Sequence, residues 1–334
     1  MTPDDHTTPG SLTLLINTGT PDSPSEPDVA RYLREFLNDP NIMGMPDAVR
    51  KMLVDKVIVP GRVRASAARY RQLWRDHDGH SPLLVHTSNL ARALTEKLAQ
   101  PVLPVMRYGT PGPLDIADQV RRAEVVTLVP MFPQQTYSSY NSALDYLVEQ
   151  VRQLNPGARL RVLQPYYAHE AFIAAVAGVA RPHLDDDLDL VVISFHAIPE
   201  SHHRRGIREG IDYEQQCRVT AHLLARELEV PDDRLRVTFQ SAIPPMPWLQ
   251  PQIETEALAW PRAGHRRVAV ICPGFASDCL ETSYDIGSKL KDRFVNAGGE
   301  RFTLVPAVND DPRWVDALAA ILGSQLVAEL PIQA

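Results

Sequence analysis

The sequence predicts an α/β fold in two lobes, each built on a parallel sheet of about four strands flanked by helices. Three observations carry that expectation. Short apolar runs alternate with amphipathic segments along the chain, the pattern of βαβ units. Most of these runs stop at a Gly or a Pro, as strands do where they turn into a helix. At 334 residues the chain is about twice an ordinary domain, so two domains are expected.

The first run, Ser11–Asn17 (SLTLLIN), is closed by Thr18–Gly19–Thr20–Pro21. A helix over Asp28–Leu37 follows, with Val29, Tyr32, Leu33, Phe36 and Leu37 on one face. Met43–Arg75 reads as helical pieces broken at Pro60–Gly61. His86–Leu98 reads as an amphipathic helix entered through Gly79–His80–Ser81–Pro82. Val102–Tyr108 and Val125–Met131 are strands, the second leading to a helix at Tyr140–Leu154. The alternation then repeats, with strands at Leu160–Leu163, Leu190–Phe195, Leu235–Gln240, Arg267–Cys272 and Phe302–Val305. Helices are expected at His169–Ala180, Tyr213–Leu228, Pro251–Ala259, Glu281–Ala297 and Pro312–Leu322. A boundary near Asn155–Arg161 gives lobes of 11–160 and 161–323. Identity between the halves is too weak to read as a repeat. No glycine trio follows the first strand, which disfavours a dinucleotide site.

Hydrophobic content of 44% beside 22% charged residues is enough for a sizeable core. The formal charge of −7 argues against a general nucleic-acid binder. The three cysteines, Cys217, Cys272 and Cys279, form no CxxC pair. Neither a disulfide framework nor a four-thiolate iron–sulfur cluster is therefore expected. The N-terminal MTPDDHTTPGS lacks the basic and apolar regions of a signal peptide. No run approaches the ~20 apolar residues of a membrane span, and a cytoplasmic protein is expected.

Two strand exits carry the residues that can do chemistry, because ligands of open α/β sheets bind at the carboxyl ends of the strands. Leu190–Phe195 runs straight into His196. Val268–Cys272 breaks at Pro273–Gly274 ahead of Asp278, Cys279 and Glu281. A strand-end histidine can simply be hydrogen-bonded; its place on the ligand edge turns the reading toward function. Asp278, with Glu281 three residues on, also fits helix capping. Capping leaves Asp285 unexplained, one turn past Glu281 on the same stripe. Two carboxylates so placed can pass a divalent cation or collect protons. An imidazole with a carboxylate suits Fe(II) or Zn(II) better than Mg(II). His202 and His203, beside Arg204 and Arg205, read as a solvated loop.

Met43–Arg75 is the second region of interest. It carries Met43, Met45, Met52, Leu53, Val54, Val57, Ile58, Val59 and Leu73, with eight Arg and Lys against Asp47 and Asp55. Such a local basic and apolar patch in an acidic chain is either a helix pair packed on the core or a lip resting on an anionic membrane surface.

Taken together, the motifs resemble the ferrochelatase family over Leu14 to about Leu322. They are Asn17–Thr18–Gly19–Thr20–Pro21, Gly79–His80–Ser81–Pro82–Leu83, Arg107–Tyr108–Gly109, Ser194–Phe195–His196–Ala197–Ile198–Pro199, Phe239–Gln240–Ser241, Pro245–Met246–Pro247–Trp248–Leu249, Cys272–Pro273–Gly274–Phe275 and Asp278–Cys279–Leu280–Glu281–Thr282. Each is weak alone, and their order and spacing make the resemblance strong. It implies two Rossmann-like, chelatase-like lobes with a porphyrin cleft between them. It also implies a lyase of haem biosynthesis that inserts Fe(II) into protoporphyrin IX. The alternatives are a coproporphyrin III ferrochelatase and a non-catalytic tetrapyrrole or metal carrier of the same fold. By the same resemblance His196 and Glu281 flank the metal, and Asp278 and Asp285 are acidic support. Arg62, Tyr70 and Ser81 would meet the porphyrin propionates, and Thr18, Arg107, Tyr108 and Trp248 complete the substrate-binding set. Iron is then a substrate, no tightly bound cofactor is implied, and nothing points to the iron donor. Peripheral contact with the inner face of the membrane is expected of the 43–75 lip.

The chain departs from the family pattern at four places. Ala242–Ile243–Pro244–Pro245 replaces a common Arg-Phe-Gly, Lys289 interrupts the acidic ladder, and His80 replaces a glycine. The loop from His196 to Asp212–Tyr213 is also long. Asp22, where coproporphyrin-type members carry Tyr, resembles the protoporphyrin type.

Overall fold

A computed structural model describes residues 10–243 and 246–331. The expectation for the extreme N-terminus and part of the Ala242–Pro245 departure lie outside the described residues. The described chain parts into two compact units. The first holds the residues up to Met131, Tyr137–Gln164 and those from Ala319 on; the second holds Phe132–Thr136 and Pro165–Leu318.

In the first unit β1 (Ser11–Gly19), β2 (Val102–Tyr108), β3 (Val125–Pro130) and β4 (Arg159–Leu163) pair in parallel, in the order β2-β1-β3-β4. In the second, β5 (Leu190–His196), β6 (Leu235–Gln240), β7 (Arg267–Ile271) and β8 (Arg301–Leu304) pair in parallel, in the order β6-β5-β7-β8. The two orders are the same, so the units share a topology that their residues do not advertise. Each sheet reverses direction beside its first strand, and the crevice at the carboxyl end of that reversal is where such sheets take ligands.

The first sheet has a fifth strand that the sequence reading lacks. β9 (Val327–Glu329) runs antiparallel to β4, with Val162 opposite Ala328. At three residues it is too short for its alternation to register.

Other differences have local causes. Residues 47–76 run on through Pro60–Gly61 without a break, because a π turn, Val54–Ile58, precedes the α-helix Val59–Asp76. Pro60 falls in the first turn of that helix, where a missing N–H costs least. His202 and His203 are not in a solvated loop but half-buried on a helix, Glu200–Arg208, where Arg204 pairs with Glu200 one turn away. Glu281–Ala297 is helical, but its first part, Leu280–Leu290, is wound as a π-helix before Lys291–Asn296.

In the second unit Leu190, Val192, Val268 and Val270 form one sheet face, buried with Ile286, Leu290 and Phe294 of the 280–296 helix. Those three helix side chains are at most 1% exposed. Full burial of each is worth roughly 1.5–3 kcal/mol, which offsets the poorer hydrogen bonding of the wide turn.

Candidate active site

In the second unit the strand exits at the sheet reversal are the end of β5 and the turn after β7. β5 is wholly apolar except for Ser194 and delivers His196 at its last position. The His196 Nδ1 lies 2.6 Å from the Ala197 carbonyl oxygen. A carbonyl only accepts, so in the neutral ring Nδ1 carries the proton and Nε2 has the lone pair. Tyr213 donates its hydroxyl to the His196 carbonyl at 2.8 Å, and the imidazole stands edge-on to Phe275 with ring centres 6.4 Å apart.

Glu281 sits in the first turn of the π-helix Leu280–Leu290. Thr282, Ile286 and Leu290 are buried, while Glu281, Asp285 and Lys289 lie one position ahead of each. On an α-helix a strict spacing of four drifts about 40° per step. The wider i→i+5 turn reduces that drift and keeps the Glu281–Asp285 pair together on one stripe. Lys289 ends that stripe, 4.0 Å from the Asp285 carboxylate.

Asp278 is held by several partners. Its carboxylate accepts from the Thr282 hydroxyl at 2.9 Å, the Asn309 amide at 2.8 Å and the Ala307 N–H at 3.2 Å. Its own N–H donates to Asn309 Oδ1 at 2.8 Å. With 8% exposure it fastens the turn to the loop after β8, while the residue that caps the helix is Cys279, with Thr282 three residues on, and not Asp278 with Glu281. Cys279, the residue before the helix, donates its N–H to the Thr282 hydroxyl at 3.0 Å. Burial first, then the Glu281 charge and hydrogen bond, hold the Cys279 thiol well above the usual thiol range. Burial likewise raises Cys217 and Cys272, so all three cysteines stay protonated near neutrality. Among the described residues no three or more His, Cys, Asp and Glu are gathered closely enough to hold a metal ion.

One residue outside the expected set ties the two strand exits together. Gln240 ends β6 opposite His196 and is fully buried. Its side-chain amide donates to the Glu281 carbonyl at 3.0 Å, its side-chain oxygen accepts from the Cys272 thiol at 3.4 Å, and its backbone carbonyl accepts from Ala197 N–H at 2.8 Å. The sequence signal was a polar residue closing an apolar strand. Trp248, also in this unit, is half-buried and donates its indole N–H to the Ile243 carbonyl at 2.8 Å, holding its own turn.

The remaining expected residues lie in the first unit. Gly19 has φ +108°, and a Cβ there would stand 1.8 Å from the Tyr108 carbonyl oxygen, so only glycine lets β1 and β2 end side by side. Thr18 is half-buried beside it, its N–H held by Asn17 Oδ1. Ser81 is buried and donates to the Thr20 hydroxyl at 3.0 Å. Tyr70 is buried edge-on against Tyr32 and Trp74, and Arg62 is exposed. Arg107 lies between the Tyr108 and Tyr146 rings, 4.6 and 4.3 Å from their centres, and pairs with buried Asp39. Tyr108 and Ser142 also donate to Asp39. Burial works to raise the Asp39 carboxyl, but the Ser142, Asn41 and Tyr108 hydrogen bonds and the Arg107 charge hold it below the usual carboxylate range.

A groove of about 1110 Å³ opens beside Ser81, with Arg64, Arg71, Arg75 and His80 around Trp74 and Leu84. Neither Arg62 nor Tyr70 lines it. Arg64, Ala68, Arg71 and Arg75 recur at i, i+4, i+7 and i+11, the one-face spacing of a helix, and that stripe was the signal for them.

The family model for ferrochelatase matches residues 13–326. The chain belongs to the ferrochelatase family. It is 34% identical to the ferrochelatase of Porphyromonas gingivalis, over 96% of this chain and 97% of that one. It is 36% identical to the Pseudomonas putida F1 ferrochelatase, over 92% and 96%. The chain is thus a porphyrin metallochelatase, a lyase that inserts iron into a porphyrin to make haem. Its fold is similar to that of SirB from Bacillus subtilis, solved with Fe3+, at a TM-score of 0.53 and 11% identity over 94% of each chain. Among the described residues no helix is long and apolar enough to cross a membrane.

Proposed function

We propose that this ferrochelatase inserts Fe(II) into protoporphyrin IX, with His196 as the base and Glu281 as the oxygen ligand that receives the cation. Insertion must remove two pyrrole protons, strip water from the metal and bend a flat ring so that a nitrogen lone pair points outward. The observation that carries the reading is the 2.6 Å contact from His196 Nδ1 to the Ala197 carbonyl. It leaves Nε2 to accept a proton, and the carbonyl then faces the retained N–H as the ring becomes positive. Glu281 supplies a hard oxygen for the cation and accepts the second pyrrole proton in turn, and Asp285 is the acidic support one turn on. Ring distortion comes from binding energy set against a shaped pocket, about 1–5 kcal/mol.

An anaerobic assay of Fe(II) with protoporphyrin IX and with coproporphyrin III, followed by the Soret shift, tests the reading. Faster turnover of protoporphyrin is the expected result. Preference for coproporphyrin transfers the assignment to the four-carboxylate substrate. Porphyrin binding with no insertion leaves a carrier.

The propionates are assigned to the groove of the first unit, on the strength of its three guanidinium groups. A partly exposed ion pair is worth about 0.5–1 kcal/mol. The Arg71→Ala, Arg75→Ala double variant is therefore expected to raise the KM for porphyrin roughly tenfold, with kcat within about twofold. Steady-state kinetics at varied porphyrin reads this directly, and an unchanged KM removes the assignment.

Peripheral membrane contact is assigned to Val49, Met52 and Val57, which are 49%, 61% and 59% exposed beside exposed Lys51 and Lys56. Val54, Val59 and Leu73 of the same region are buried and belong to the core. The protein is expected to float with anionic vesicles at low salt, and the Met52→Glu, Val57→Glu variant to stay behind. Absence of wild-type flotation ends this assignment.

A further inference from the structure

We infer that Gln240 is a positioning residue for iron insertion, setting where Glu281 stands relative to His196. The inference rests on the reading of those two residues as the ligand and base. β6 contributes no acid, base or metal donor to the site, yet its last side chain is an amide with no exposed surface. A buried amide is costly unless it is partnered, and an apolar side chain of the same length would fill the space at lower cost. Both polar atoms of its side chain have a partner, and its partners are the ends of the elements that carry the chemistry. Its backbone carbonyl holds Ala197, the residue after His196, at 2.8 Å. Its side-chain amide holds the Glu281 carbonyl at 3.0 Å, and its side-chain oxygen takes the Cys272 thiol at 3.4 Å.

A bond to the Glu281 carbonyl acts on the backbone, fixing the Cα from which the carboxylate reaches. With the Gln240 bond gone, the first turn of the π-helix keeps Asp278, Thr282 and Asn309 as its fastening. That fastening runs toward β8 and not toward β5. The expected consequence is a correctly folded protein whose Glu281 is misplaced with respect to His196, and displacements of about 1 Å can cost ~10²-fold in rate.

The test uses Gln240→Met, which keeps length and removes both side-chain bonds, and Gln240→Glu, which keeps the acceptor for Cys272 and loses the donor to Glu281. Insertion rates are normalised to the number of porphyrin-binding sites in each preparation, so loss of folded protein does not enter. The expected result is a fall of ten- to a hundredfold in kcat/KM for Fe(II), with the KM for porphyrin within twofold of wild type. A fall of less than fivefold in both variants overturns the inference. So does an equal change in the porphyrin KM, since that marks a general structural role. His196→Ala and Glu281→Gln are assayed alongside. If these two turn over normally, the chemical reading has failed. If they are inactive while both Gln240 variants insert iron normally, only the positioning role has failed.

Discussion

Replacing His196 with alanine is expected to lower the rate of iron insertion by about 10²–10⁴-fold, the usual contribution of a placed general base. Porphyrin affinity should change little, because the groove proposed for the propionates lies in the first unit and the imidazole in the second. The backbone of residue 196 is held by Tyr213 and its neighbour by Gln240, so the truncation removes a ring without loosening the strand end. Fluorescence titration of porphyrin and the anaerobic insertion assay, run on one preparation, separate binding from chemistry. Chelation at near wild-type rate in His196→Ala would remove the imidazole from the mechanism.

The largest effect on stability is expected in the first unit, at Arg107→Ala. Asp39 is 3% exposed and takes hydrogen bonds from Arg107, Tyr108, Ser142 and the Asn41 amide. Removing the cation leaves a buried carboxylate short of its counter-charge, a loss of about 3–5 kcal/mol by analogy with other broken buried pairs. Urea unfolding followed by circular dichroism would read it. The pH dependence follows from the depressed Asp39 carboxyl. Its stabilisation is fully present above the ordinary value of 3.8 and is lost as pH falls through the lower folded value. The difference in stability between wild type and Asp39→Asn should therefore be complete at pH 7 and close as the pH drops below about 4. A difference that stays constant as the pH falls well below that range would mean that the Asp39 charge is not what stabilises the network.

These two sites also mark what a sequence makes visible. The apolar runs that became β1 to β8 are legible because strands buried on both faces read as unbroken Val, Ile and Leu. The positions of His196 and Glu281 at strand exits are legible because each follows an apolar run directly or through a Pro-Gly turn. The Asp39–Arg107–Ser142 network is not, since its members lie 68 and 103 residues apart from Asp39 and no local pattern marks them. Arg107 and Tyr108 stand in a family motif, and the structure spends much of their hydrogen-bonding capacity on Asp39. The π winding at Leu280–Leu290 escaped for a related reason. Its repeat of four apolar and polar positions passes for an α-helix until tertiary packing selects the wider turn. Asp278 was ambiguous on its face, and its partner Asn309, 31 residues away, is marked by no local pattern.

The return of the C-terminal segment to pair with β4 has a practical consequence for anyone dividing the molecule. A cut at residue 164, or a truncation near residue 323, would discard the short antiparallel partner and leave the backbone amides and carbonyls of Arg161–Leu163 without their cover. An uncovered strand edge recruits whatever chain comes near, so an isolated N-terminal fragment should self-associate at concentrations where the intact polypeptide stays dispersed.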